Sequence, residues 1–228
     1  MFQDWRMLTF LHWHYPPETV QALLPDGVEV ETFDGVAWVG LIPFLMDRVR
    51  PRWLPPVPWL SRFPETNVRT YVRGPDGRTG IWFFSLDAAR LPAVLAARVG
   101  FGLPYYWSEM SVRAIGDAVA YHSRRRWPGL AGALCDAQIE LGESLAEDKL
   151  GPLDHFLTAR FRLYSTVAGR LVAVNADHPP WPLRRAWVSH LRQHLVEAAG
   201  LPAPDHEPVA HASPGVRVRV GVWHPVRA

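Results

Sequence analysis

Phe63-Pro64-Glu65-Thr66-Asn67-Val68-Arg69-Thr70-Tyr71-Val72 runs into Gly74-Pro75-Asp76-Gly77, and residues 79–86 follow. Two β-compatible runs around a Gly/Pro/Asp turn signal read as adjacent antiparallel strands. Side chains alternate faces along a strand. Glu65, Asn67, Arg69 and Tyr71 therefore share one face, and Thr66, Val68, Thr70 and Val72 the other. The second face suits a packed core. The first is a row of acid, amide, guanidinium and phenol. Turned inward, it makes a polar lumen for a small anionic or carbonyl ligand, with Arg69 able to clamp a carboxylate through parallel hydrogen bonds. Buried there, Glu65 would have a raised pKa and could act as acid or base. Turned outward, it is a solvated strand with a Glu65–Arg69 ion pair. Sequence leaves both open.

Outward from this hairpin the pattern repeats. Asp34-Gly35 separates strands over residues 28–33 and 36–50, and Gly116-Asp117 separates residues 109–115 and 118–126. Further strands are expected over residues 7–14, 137–141, 159–164, 171–176 and 216–223. Helices are expected over residues 18–24, 91–99, 153–158 and 187–199, the last ending at Gly200. Many hairpins and few helices indicate an α+β, mainly antiparallel β fold with peripheral helices, in a single domain over residues 1–228.

Composition narrows the function classes. The 228 residues are 48% hydrophobic and carry a net charge of only +2, too little to argue for nucleic acid. Eleven tryptophans, six tyrosines and ten phenylalanines exclude general disorder. Lys149 is the only lysine, so one side-chain amine is available for imine chemistry. Cys135 is the only cysteine, which rules out an intramolecular disulfide, fits a cytoplasmic protein and sits in an apolar setting. No secretory signal or membrane-length apolar run is visible, and no membrane or nucleic-acid partner is expected. A proline-rich loop at residues 50–64 carries Trp53, Leu54, Trp59, Leu60 and Phe63, which suggests packing over a pocket mouth or an interface. His12 and His14 share a strand face, His190 and His194 lie four apart on the expected helix, and His206 lies between Asp205 and Glu207. None forms a convincing ligand set, and neither metal nor cofactor is expected. Arg124-Arg125-Arg126 reads as a basic edge feature.

Four blocks carry a family resemblance. They are Phe10-Leu11-His12-Trp13 with residues 24–27 and 33–40; residues 63–72; Gly80-Ile81-Trp82-Phe83-Phe84-Ser85-Leu86-Asp87-Ala88; and Leu103-Pro104-Tyr105-Tyr106 with residues 178–183. Over nearly the whole chain these resemble the bacterial DUF2071 (YqjF-like) family of uncharacterised proteins, which is in turn similar to the acetoacetate decarboxylase-like superfamily. The resemblance implies a curved β-barrel or cone around a central pocket. In that superfamily a catalytic lysine follows a Gly-Phe-Pro type turn. Here the similar turn is Phe101-Gly102-Leu103-Pro104, and Tyr105 and Tyr106 follow it. A phenol cannot form an imine, so the resemblance implies the pocket without the decarboxylase mechanism. The expected ligand-binding set is Glu65, Asn67, Arg69, Tyr71, Tyr105 and Tyr106. A non-enzymatic sensor or a structural homo-oligomer is the alternative.

Overall fold

The computed structural model describes residues 1–129 and 132–226. The chain opens with β1 (Phe2–Tyr15), α1 (Pro17–Gln21), β2 (Glu29–Val30), β3 (Thr32–Phe33) and the long β4 (Val36–Arg50). Then come β5 (Phe63–Arg73), β6 (Thr79–Ala88), α2 (Leu91–Phe101), β7 (Tyr105–Ile115), β8 (Ala118–Trp127) and β9 (Leu134–Ser144). A 3-10 turn at Glu147–Lys149 leads to α3 (Pro152–Thr158), β10 (Arg162–Val167) and β11 (Arg170–Asp177). The remainder is β12 (Arg184–Gln193), α4 (Leu195–Ala198), β13 (Val209–Val220) and β14 (His224–Pro225).

Five strands in the order β13-β1-β4-β5-β6 form a spine. Both of its outer edges divide. The far side of β6 pairs with β10 at Ile81 and Trp82 and with β7 from Leu86 to Ala88. The far side of β13 pairs with β12 at His211 and Ala212 and with β11 at Arg219 and Val220. Strands β7-β8-β9-β12 thus close the sheet through one circuit, and β10-β11 close it through another.

Both spine faces are consequently buried. Leu11, Trp13, Val39, Leu41 and Val68 pack with Val119, Tyr121, Ala137 and Ile139 on one side. Leu8, Phe10, Ile42, Phe44 and Phe63 pack on the other. This explains why β4 reads as an almost unbroken apolar run, since a strand covered on both faces has no solvent side to mark with polar residues. Most expected elements form where the sequence placed them, with ends shifted by a few residues. The strand expected over residues 28–33 is divided into β2 and β3.

The helix expected over residues 187–199 is a correction. Residues 184–193 are strand, and only Leu195–Ala198 is helical. The register between β12 and β9 shifts between Val188 and His190. A bulge inserts one residue into the alternation. The partly buried residues of the strand then fall at 184, 186, 188, 191 and 193, and residues 188, 191, 195, 196 and 199 together imitate a helical stripe. His190 and His194 accordingly do not share a helix face.

Helix α2 stops at Gly102, whose φ is +62°. A Cβ there would stand 2.2 Å from the Thr166 carbonyl oxygen. Left-handed strain and the backbone clash act together, so Gly102→Ala should lower stability by about 3 kcal/mol. Urea unfolding checks this, and an unchanged midpoint would show that the turn can relax.

Candidate functional site

The row on β5 turns inward. Glu65, Asn67 and Arg69 are 3%, 5% and 6% exposed, and all three line a cavity of about 270 Å³. Trp5, Phe44, Met46 and Phe63 form one apolar wall, Phe83, Leu86 and Leu163 another. Ala93, Ala96, Ala97 and Phe101 of α2 close it from above, beside Tyr105. The volume lies near the lower end of the roughly 300–1,000 Å³ usual for ligand pockets.

The turn at residues 101–104 places Tyr105 against Glu65. The Tyr105 hydroxyl donates to Glu65 Oε2 at 3.0 Å. Arg98 Nη1 holds the Tyr105 carbonyl at 2.6 Å, which ties this residue to the last turn of α2. Burial pushes the Glu65 carboxyl up to about 8, the Tyr105 hydrogen bond opposes that rise, and the charge of Asp87 adds to it. At neutral pH Glu65 is therefore mostly protonated and can donate a proton. Burial and the adjacent Glu65 also hold the Tyr105 phenol well above its ordinary range.

Arg69 stands four residues along the strand, roughly 13 Å away by backbone rise. No Glu65–Arg69 ion pair forms, because an extended backbone holds the two at opposite ends of the cavity. The Arg69 guanidinium lies over Phe10 at 5.6 Å and over Tyr71 at 5.9 Å. Its Nε is buried without a hydrogen-bond partner, as is Asn67 Oδ1. Among the described residues Arg69 has no carboxylate in ion-pairing reach. Arginine stays charged in proteins, and a buried charge without a counter-charge is costly.

Two of the six expected residues are placed elsewhere. Tyr71 continues the inward row but is sealed behind it, fully buried and absent from the cavity wall. Its hydroxyl donates to the Leu157 carbonyl at 2.6 Å and meets His12 Nε2 at 2.6 Å. The phenol's one proton goes to the carbonyl, so His12 Nε2 is the donor, which leaves Nδ1 bare. Burial and the charge of Arg69 hold the His12 pKa well down, in keeping with a neutral ring. Tyr106 points to the other side of β7, where the Arg125 guanidinium stacks 3.6 Å from its ring centre. Successive strand residues face opposite ways, so only one of two adjacent tyrosines can reach the cavity.

The arginine run is also not an edge. Strand β8 lies between β7 and β9, and Arg125 is buried in a two-pronged pair with Asp87, at 3.0 and 2.7 Å. Ser108 Oγ donates to the same carboxylate at 2.6 Å. Alternation along β8 leaves Arg124 and Arg126 outside. Lys149 is exposed on its 3-10 turn and lines a separate depression beside Asp154 and His211. Cys135 is buried, and burial pushes its thiol up to about 12.

The apolar walls and the roof were not read from sequence. Ala93, Ala96 and Ala97 carry a weak signal, because spacings of three and four put three small residues on one helix face. Gln3 and Trp5 of β1, which also line the cavity, gave none, since their role depends on how β1 is placed in the sheet.

Comparison with known structures agrees with this architecture. An acetoacetate decarboxylase-like enzyme from Sphingomonas wittichii RW1 superposes with a TM-score of 0.68 at 14% identity, covering 99% of this chain and 92% of the other. Acetoacetate decarboxylase from Legionella pneumophila gives 0.68 at 15% identity, covering 99% and 87%. The enduracididine biosynthesis enzyme MppR, solved with pyruvate, gives 0.66 at 13%, covering 98% and 89%. At these identities the likeness establishes the fold. In sequence, the chain is 37% identical over 211 residues to the uncharacterized protein YqjF of Bacillus subtilis strain 168, covering 92% of this chain and 86% of YqjF. The DUF2071 model, described as an uncharacterized conserved protein, matches residues 2–217. The chain therefore belongs to the DUF2071 family, on an acetoacetate decarboxylase-like fold.

Proposed function

We propose that the cavity binds a small carboxylate whose acid group is clamped by Arg69 and whose other end reaches Glu65 and Tyr105. One observation carries the reading: a buried guanidinium in the wall of a cavity, with no carboxylate partner among the described residues. An anionic ligand would satisfy its charge. The cavity's opposite end offers a protonated carboxyl and a phenol, which suit a carbonyl or hydroxyl oxygen. Asn67, with its carbonyl oxygen unpartnered, lies between them. The apolar walls accept a short hydrocarbon segment. MppR, similar in fold, was solved with pyruvate, a carboxylate that also carries a carbonyl.

Acid–base chemistry is the reaction class these groups can support. Glu65 can protonate a carbonyl oxygen or an adjacent carbon and take the proton back, with Tyr105 holding the carboxyl oriented. No lysine lines this cavity, because Lys149 lies elsewhere, and the Met1 amine at its wall is engaged by the Val220 carbonyl at 2.8 Å. A non-enzymatic sensor for the same ligand would use the same clamp.

Calorimetric titration with pyruvate and benzoate, each beside its primary amide, tests the clamp. The carboxylates should bind at least about tenfold more tightly than the amides, because a charged hydrogen-bond pair is roughly twice as strong as a neutral one. Equal affinities, or no binding of either kind, would remove the proposal.

A further inference from the structure

Between β4 and β5 the chain leaves the body of the protein, and residues 51–59 are exposed without a break. Trp53 is 81% exposed and Trp59 65%, with Leu54 and Val57 more than half exposed beside them. Large apolar side chains clustered in this way are unusual on a surface that faces only water.

The loop is held in place at its neck. Ser61 Oγ donates to the Val49 carbonyl at 2.6 Å and accepts from Val57 N at 2.8 Å. The backbones of Ser61 and Val49 bond as well, at 3.1 Å. Arg90, capping α2, donates to the Trp59 carbonyl at 2.8 Å and lies over its indole at 4.7 Å. The tryptophans are thus presented outward by a built support.

Charge around the tip has one sign. Residues 48–64 contain Arg48, Arg50, Arg52 and Arg62 and no acidic residue. Arg48 is turned back toward Asp4 at 3.6 Å. Arg50, Arg52 and Arg62 have no carboxylate partner among the described residues. Pro51, Pro55, Pro56 and Pro58 remove four backbone N–H groups that would otherwise need partners in a dry environment.

We propose that this loop docks on the surface of an anionic lipid bilayer. Tryptophan settles at the headgroup level, where an apolar ring and a polar N–H are both accommodated. Arginines beside it meet lipid phosphates. A second copy of the chain is the poorer occupant, since a twofold contact through this patch would set the same arginines against one another. The proposal departs from the composition-based expectation of no membrane partner, because the average charge of +2 conceals a local cluster. No helix among the described residues is long and apolar enough to cross a membrane, so the contact is peripheral. Val49 and Phe63, which flank the loop, both line the cavity, so the docked face lies at its rim. The docking itself does not depend on what the cavity holds.

The test is sedimentation of the full chain with vesicles of phosphatidylcholine alone or with roughly one-third phosphatidylglycerol, at low and high salt. Binding is expected only to the anionic vesicles and should weaken as salt rises. R52Q/R62Q should lose roughly 25-fold, about fivefold for each arginine removed. W53S/W59S should lose at least about tenfold. Equal sedimentation with both vesicle types, none with either, or full binding by W53S/W59S would overturn the proposal. So would a dimer in analytical ultracentrifugation that W53S/W59S dissolves, which would assign the loop to a second copy.

Discussion

Arg69→Met is expected to weaken carboxylate binding by about 2–4 kcal/mol, roughly 30- to 1000-fold, while leaving the empty protein at least as stable as its parent. The two halves of that result come from the same fact. The guanidinium is buried, lacks a carboxylate partner among the described residues and has an open Nε. A structural arginine in an ion pair behaves in the opposite way, since its removal strands a buried acid and costs about 3–5 kcal/mol. Methionine keeps most of the stem volume and gives up the guanidinium together with its place over the Phe10 ring. Relief of an uncompensated buried charge should raise the urea midpoint by the equivalent of about 1–3 kcal/mol. Calorimetry with pyruvate and benzoate gives the binding half. Affinity within threefold of the parent, or a marked fall in stability, would show that Arg69 holds the fold and not a ligand.

Glu65→Gln should make the protein more stable at neutral and alkaline pH and have little effect in acid. In the folded state burial raises the Glu65 pKa from 4.5 to about 8. Between those values the folded protein keeps a proton that the unfolded chain has released. Stability contributed by this group is therefore fully present below pH 4.5 and is lost as pH rises toward 8. Glutamine does not titrate. The difference between variant and parent should open through this window and level off above pH 8 at roughly 5 kcal/mol. The Tyr105 phenol can donate to the amide oxygen of glutamine as it does to Oε2, so the packing is preserved. Urea unfolding across pH 4 to 9 measures the gap. A gap independent of pH would mean that Glu65 is ionised throughout and could not donate a proton at pH 7. If Glu65 also serves as the acid in a reaction, the same variant should abolish turnover while keeping carboxylate affinity, because Arg69 is untouched.

Legibility followed how local each determinant was. The hairpin turns at residues 34–35, 74–77 and 116–117 are in place, because a two- to four-residue turn is decided by its own backbone preferences. Alternation along residues 65–72 separated the polar row from the apolar one correctly, because strand geometry assigns faces by position alone. The same rule could not say which face looked inward, since both spine faces are buried and the usual contrast with solvent is missing. It also could not stop the row at Arg69. Tyr71 has the same direction as Arg69, but Leu157 on α3 and His12 on β1 close over it, and both come from distant parts of the chain. The failure at residues 187–199 had a different cause, a bulge that gave a strand the spacing of a helix.

What the order of residues determined unaided was a β-rich chain of hairpins, one inward-capable row of ionisable groups on β5, and the absence of an amine after the residue 101–104 turn. These depend on backbone stereochemistry and residue type, which act over a few residues. The forked closure of the sheet, the encounter of Tyr105 with Glu65 across forty positions and the lack of an acid paired with Arg69 among the described residues were decided only by the tertiary structure. Each depends on which distant strands exclude water from the same volume. Burial then changes the chemistry of the groups it encloses by removing the solvent that would have screened and solvated them.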